Sequence, residues 1–171
     1  QGNCWILDDQ NDGVLYKKEG NGQAASTVSY NNVTFWANLK YDSNLATQGT
    51  TDEHTQQRSG VQLRFSNGKN WHIDLLKQNG TYVLQYAKIS GDNSLVGWKV
   101  VHTLTDEQVS KYTGKDGIKL MLKRNGNEVA IYLEDKLLVV ETLGAEYKGY
   151  TVQVGVESWM ANTTLVPITY G

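Results

Sequence analysis

From Val61 to Glu157 the sequence returns again and again to a period of two. Val61, Leu63 and Phe65 alternate with Gln62 and Arg64, and Trp71, Ile73 and Leu75 with His72 and Asp74. Ile118, Leu120 and Leu122 alternate with Lys119, Met121 and Lys123, and Val129, Ile131 and Leu133 with Ala130, Tyr132 and Glu134. Val152, Val154 and Val156 alternate with Gln153, Gly155 and Glu157. Successive side chains of an extended strand point to opposite faces, so each run is a strand with one face on a core. Asp12-Gly13, Asn67-Gly68, Asn79-Gly80, Asp116-Gly117 and Asn125-Gly126 punctuate the runs, and such pairs mark tight turns between antiparallel strands.

Further strands are expected near 14–18, 24–30, 33–41, 81–88, 97–104, 137–143 and 163–170. One stretch breaks the pattern. Thr105 with Gln108 three residues later has the form of a capping box, which predicts a short helical turn near 105–112 crossing between sheets. Asp42–Ser59 is polar and aperiodic and reads as a long surface loop. About a dozen antiparallel strands without internal repeats predict an all-β, two-sheet jelly-roll sandwich, with a closed barrel as the alternative. No linker or shift of composition divides residues 1–171, so one domain is expected.

Composition narrows the function classes. The net charge of -2 comes from interspersed lysines and acids, without the basic block that nucleic acid needs. No apolar run reaches membrane-spanning length, so membrane insertion is not expected. The single cysteine, Cys4, makes no internal disulfide. The 10 Tyr and 5 Trp outnumber the 2 Phe, a bias toward aromatic rings with a polar edge that suits amphipathic ligands.

Within Ile6–Glu19, Asp8, Asp12, Gly13 and Glu19 match the spacing of a helix–loop–helix calcium site. The flanks Trp5-Ile6-Leu7 and Val14-Leu15-Tyr16 read as strands, which turns the match into a hairpin. The hairpin segment "CWILDDQNDGVLYKKEGNG" resembles the opening of concanavalin- and laminin-G-like sandwich domains. "VSYNNVTFWANLKY", "RSGVQLRFSNGKNWHIDLL", "GIKLMLKRNGNEVAIYLEDKLLVVET" and "VQVGVESWMANTTLVPITY" are similar to their later hairpins. The nearest look is to carbohydrate-binding modules of bacterial glycoside hydrolases, such as the fructan-binding family 66. Leu165 and Pro167 stand where those modules commonly show an aromatic residue. The resemblance implies a non-catalytic domain of a larger, secreted or surface-attached protein, binding a polysaccharide or oligosaccharide. It also allows a structural calcium ion near the chain ends, to which Asp8, Asp9 and Asp12 would contribute.

Catalytic signatures are missing. No E-x-D-x-x-E strand of the sandwich glucanases is present, and Asp74, Glu134 and Glu157 occur singly. No G-x-S-x-G is found, and His54, His72 and His102 are too scattered for a metal-ligand set. A sugar site instead needs aromatic faces and planar polar side chains. Gln62, Arg64, His72, Asp74, Gln153 and Glu157 take outward positions on three strands and supply the polar part. Trp36, Trp98 and Trp159 lie on an outward face or beside loops and are the candidate stacking platforms, whereas Trp71 shares the buried parity. The alternatives are a protein-binding adhesin domain of the same fold and a glycoside hydrolase.

Overall fold

The computed structural model describes residues 5–8, 14–17, 22–26, 28–41, 58–78, 80–89, 95–114, 117–159 and 163–170. Side chains are described for 25–26, 28–39, 60–77, 80–86, 99–114 and 117–157. Asp9, Asp12, His54 and residues 42–57 of the predicted loop lie outside the described residues, while Arg58 and Ser59, read as the end of that loop, open a strand.

The described residues form two antiparallel sheets. One has seven strands in the order β1 (Trp5–Asp8), β2 (Val14–Lys17), β13 (Thr163–Tyr170), β4 (Val33–Tyr41), β9 (Ile118–Asn125), β10 (Glu128–Leu133) and β11 (Lys136–Thr142). The other has six, in the order β3 (Gly22–Ala25), β12 (Val152–Trp159), β5 (Arg58–Phe65), β6 (Asn70–Gln78), β7 (Thr81–Ile89) and β8 (Leu95–Thr103). The predicted two-sheet sandwich is what forms. No helix among the described residues is long and apolar enough to cross a membrane.

The alternation sets the core. Phe35, Ala37, Leu39, Leu120, Leu122 and Ile131 face Val61, Leu63, Ile73, Leu75, Val154 and Val156, and every one of them is buried. Burying such side chains is the main stabilising term, about 1.5–3 kcal/mol for each large aliphatic or aromatic group. Trp71 is core, as its parity predicts. It stacks on Tyr86 with ring centroids 5.3 Å apart and planes 4° from parallel. Tyr86 in turn donates its hydroxyl proton to Glu141 at 2.7 Å, and burial, with help from Glu141, holds its pKa above the ordinary tyrosine value.

Helix α1 (Asp106–Thr113) carries the predicted capping box. The Gln108 amide donates to the Thr105 hydroxyl at 3.2 Å, and the Thr105 amide donates to the Gln108 side chain at 2.9 Å. The helix is anchored by Tyr112, which is buried with Tyr82 edge-on to it.

One local reading changes, and one burial is new. The strand pattern through Glu134 stops at Leu133, because Glu134 and Asp135 both have positive φ, 51° and 65°. That pair forms the two-residue hairpin whose twist matches its flanking strands, so Glu134 sits on a turn, where it pairs with Lys111. Arg124, by contrast, extends the buried parity of β9 and is 2% exposed. Its guanidinium donates to the carbonyls of Asn31 and Tyr147, which lets a cation close one end of the core. Burial pulls its pKa below the usual arginine value.

Candidate functional site

Strands β12, β5, β6 and β7 lie side by side, so the residues out of phase with the core share one outward face. Register puts them in rows. One row reads Glu157, Gly60, Asp74, Gln85, and the next reads Gly155, Gln62, His72, Ala87. A third holds Gln153, Arg64 and Asn70.

The face turns away from the core, yet Gln62, His72, Asp74, Gln85 and Glu157 are at most 4% exposed. Leu76 and Val83, paired in the adjacent row, are buried beside them and give the cluster an apolar flank. Polar groups at this depth are expensive unless they are paired. His72 Nδ1 is hydrogen-bonded to Glu157 Oε2. Gln62 donates to the Val156 carbonyl at 3.4 Å and accepts from Arg64 Nε at 3.0 Å, so its amide is held at both ends. Gln85 Nε2 has no hydrogen-bond partner among the described residues.

The central geometry depends on a glycine. Asp74 and Glu157 stand on strands that flank β5, two strand spacings or about 10 Å apart along the row. Their carboxylates and the His72 ring nevertheless offer ligand atoms all within 4.8 Å of one another. Gly60 lies between them in register, and a Cβ there would run into the Ile73 carbonyl and the Asp74 side chain. The missing side chain at 60 is what lets Asp74 lean across β5 toward Glu157.

Of the nine residues proposed from sequence, the structure brings Gln62, Arg64, His72, Asp74, Gln153 and Glu157 onto one face. Arg64 and Gln153 are half-buried and form its more open margin. Trp36 stands elsewhere, half-buried on β4 of the other sheet with Lys119 Nζ 4.9 Å from its ring centroid. Trp98 takes a place in β8 opposite Ala87. Trp159, read as a loop residue, is the last residue of β12, opposite Arg58. The side chains of both lie outside the described ones, as does that of Asp8. Gln85 and Gly60 were missed. Gln85 does share the outward parity of β7 with Val83, but parity alone does not say which strand lies next to it.

No family model and no curated protein sequence matches the chain. Solved structures do. A carbohydrate-binding module of family 66 from Bacillus subtilis aligns over 97% of this chain and 89% of its own, at 13% identity and a TM-score of 0.61. An alginate lyase from Pseudomonas aeruginosa aligns over 100% and 86%, at 6% identity and a TM-score of 0.66. A galectin from Caenorhabditis elegans aligns over 95% and 100%, at 11% identity and a TM-score of 0.51. Binding proteins and an enzyme thus share the architecture, and the likeness fixes neither ligand nor reaction. What it does show is that this chain has the concanavalin-like β-sandwich fold.

Proposed function

We propose that the chain is a non-catalytic carbohydrate-binding module with its ligand site on the outward face of the six-stranded sheet. The observation that carries this reading is the row-by-row gathering of Gln62, Arg64, His72, Asp74, Gln153 and Glu157 on that face, with Arg64 and Gln153 at the open margin where a sugar would make contact and the buried four behind them. Planar amide, carboxylate and guanidinium groups match the paired hydroxyls of a sugar ring, and charged partners make the stronger bonds. The fold likeness to a carbohydrate-binding module and a galectin supports the same reading. In it, Trp98 and Trp159 supply stacking faces, and the module targets a secreted or surface-attached bacterial enzyme, within a larger protein, to polysaccharide. A structural calcium ion at Asp8, Asp9 and Asp12 belongs to it, tested by a calcium-dependent rise in Tm that Asp12→Asn abolishes.

Affinity electrophoresis against levan, inulin, xyloglucan, mixed-linkage β-glucan, xylan, mannan and pectic galactan tests the main claim. Retardation by one polysaccharide is expected, and Arg64→Ala, Gln153→Ala and Trp159→Ala each weaken it. Retardation by none, together with silence on a glycan array, removes the sugar reading.

One observation favours a second reading, a glycoside hydrolase. Asp74 and Glu157 bring carboxylate oxygens within 4.8 Å of one another, and two carboxyl groups on one face are what glycosidic hydrolysis needs. Release of reducing sugar from any of those polysaccharides, lost in Glu157→Gln, would establish it.

A further inference from the structure

We propose that His72, Asp74 and Glu157 form a binding site for one divalent transition-metal ion, with Gln85 beside it. Three observations meet here. The three side chains come from β6 and β12 across an intervening strand, and their ligand atoms all lie within 4.8 Å. Two donors on one ion are separated by up to about twice a bond length of roughly 2.1 Å, so small side-chain rotations bring all three to a common point. Gly60 provides the space for that convergence, since any side chain there would displace Asp74.

The third observation concerns Gln85. Its backbone is the direct register partner of Asp74, so its side chain stands on the same face beside that carboxylate. It is 2% exposed, and its Nε2 has no hydrogen-bond partner among the described residues. A buried amide donor calls for an acceptor. An oxygen on the ion's remaining coordination position, from water or from a ligand hydroxyl, answers that need.

The donor set selects the class of ion. One imidazole nitrogen and two carboxylate oxygens suit Zn2+, Co2+ or Mn2+, whereas Ca2+ and Mg2+ take oxygen ligands. The His72–Glu157 hydrogen bond holds two of the ligands together. The inference goes beyond the sugar reading and is tested with the ion alone.

The purified chain is stripped with a chelator and titrated with Co2+ and with Zn2+ by calorimetry, the Co2+ complex being followed by its visible absorption. One ion per chain at this site is expected. Asp74→Asn, Glu157→Gln and His72→Gln each lower its affinity at least about tenfold, and Glu134→Gln, on the β10–β11 turn, leaves it unchanged. Absence of saturable binding overturns the proposal, as does binding that all three variants retain. Should those variants fail to fold, the wild-type chain still decides. The chain has three histidines, and Co2+ must shift the ring protons of His72, with the shifted signal surviving in His54→Gln and His102→Gln. A signal lost with either of those variants places the ion elsewhere and overturns the proposal.

Discussion

The two sheets carry the same alternation on their outward faces and meet different surroundings. On β9 and β10 the outward residues Lys119, Met121, Ala130 and Tyr132 are half-buried, and Lys123 is exposed. Lys119 pairs with Asp135 at 2.7 Å and covers Trp36. On β6, every side chain from Trp71 to Leu76 is buried, whichever way it points. The first is a solvated face, which any polar residue satisfies. The second is a polar interior, where each group needs a partner and shape decides what fits. Functional sites are built on faces of the second kind, because charge and hydrogen-bonding capacity gain strength out of water.

The largest test of this contrast uses one residue type on both sheets. Trp71→Ala is expected to cost about 3–5 kcal/mol in urea unfolding, since it empties a stacked core position. Trp36→Ala should cost about 1–2 kcal/mol, from a half-buried ring and one cation–π contact. Equal losses would mean that the outward face of the seven-stranded sheet is packed like a core.

Next in size is Gly60→Ala. A side chain in place of a mid-strand glycine ordinarily stabilises by roughly 0.5–1 kcal/mol. Here it is expected to destabilise by about 1–3 kcal/mol, because the new methyl meets Ile73 and Asp74. A neutral or stabilising result would show that Asp74 does not depend on the space above Gly60.

A second pair separates the two buried glutamines. Gln62→Leu breaks contacts with Val156 and Arg64 and should cost about 1–2 kcal/mol. Gln85→Leu removes a donor without a partner, and its stability should stay within about 0.5 kcal/mol of the parent. A large loss for Gln85→Leu would assign that amide a structural role. The smallest effect is expected from Lys123→Ala on the solvated face, a thermal-unfolding change within about 0.5 kcal/mol. A loss above 1 kcal/mol there would erase the contrast between the faces.

Much of the fold was legible because its determinants are local. Alternation marks strands and their buried parity, as Trp71 shows, and Asn-Gly pairs mark turns, as the positive φ of Gly68, Gly80 and Gly126 shows. Thr105 and Gln108 marked the start of α1. Failures occurred where a local rule met a tertiary one. Arg124 was passed over because arginine seldom takes a buried parity, and two backbone carbonyls from elsewhere in the chain make it possible. Glu134 was placed on a strand because its hairpin turn lacks glycine.

The candidate site divides the same way. The sequence by itself determined that Gln62, Arg64, His72, Asp74, Gln153 and Glu157 point away from the core, since parity follows from the chain's own period. It also determined the β sandwich, whose strands and turns follow from local alternation and Asn-Gly or Asp-Gly pairs. Only the tertiary structure decided that β12 and β6 flank β5, that Gln85 joins the row, and that this face is buried. His72 and Glu157 are 85 residues apart in the chain and share a hydrogen bond. Period two assigns a side chain to a face. Strand order, register and the empty space at Gly60 assign its neighbours, and those arise only when distant strands pair.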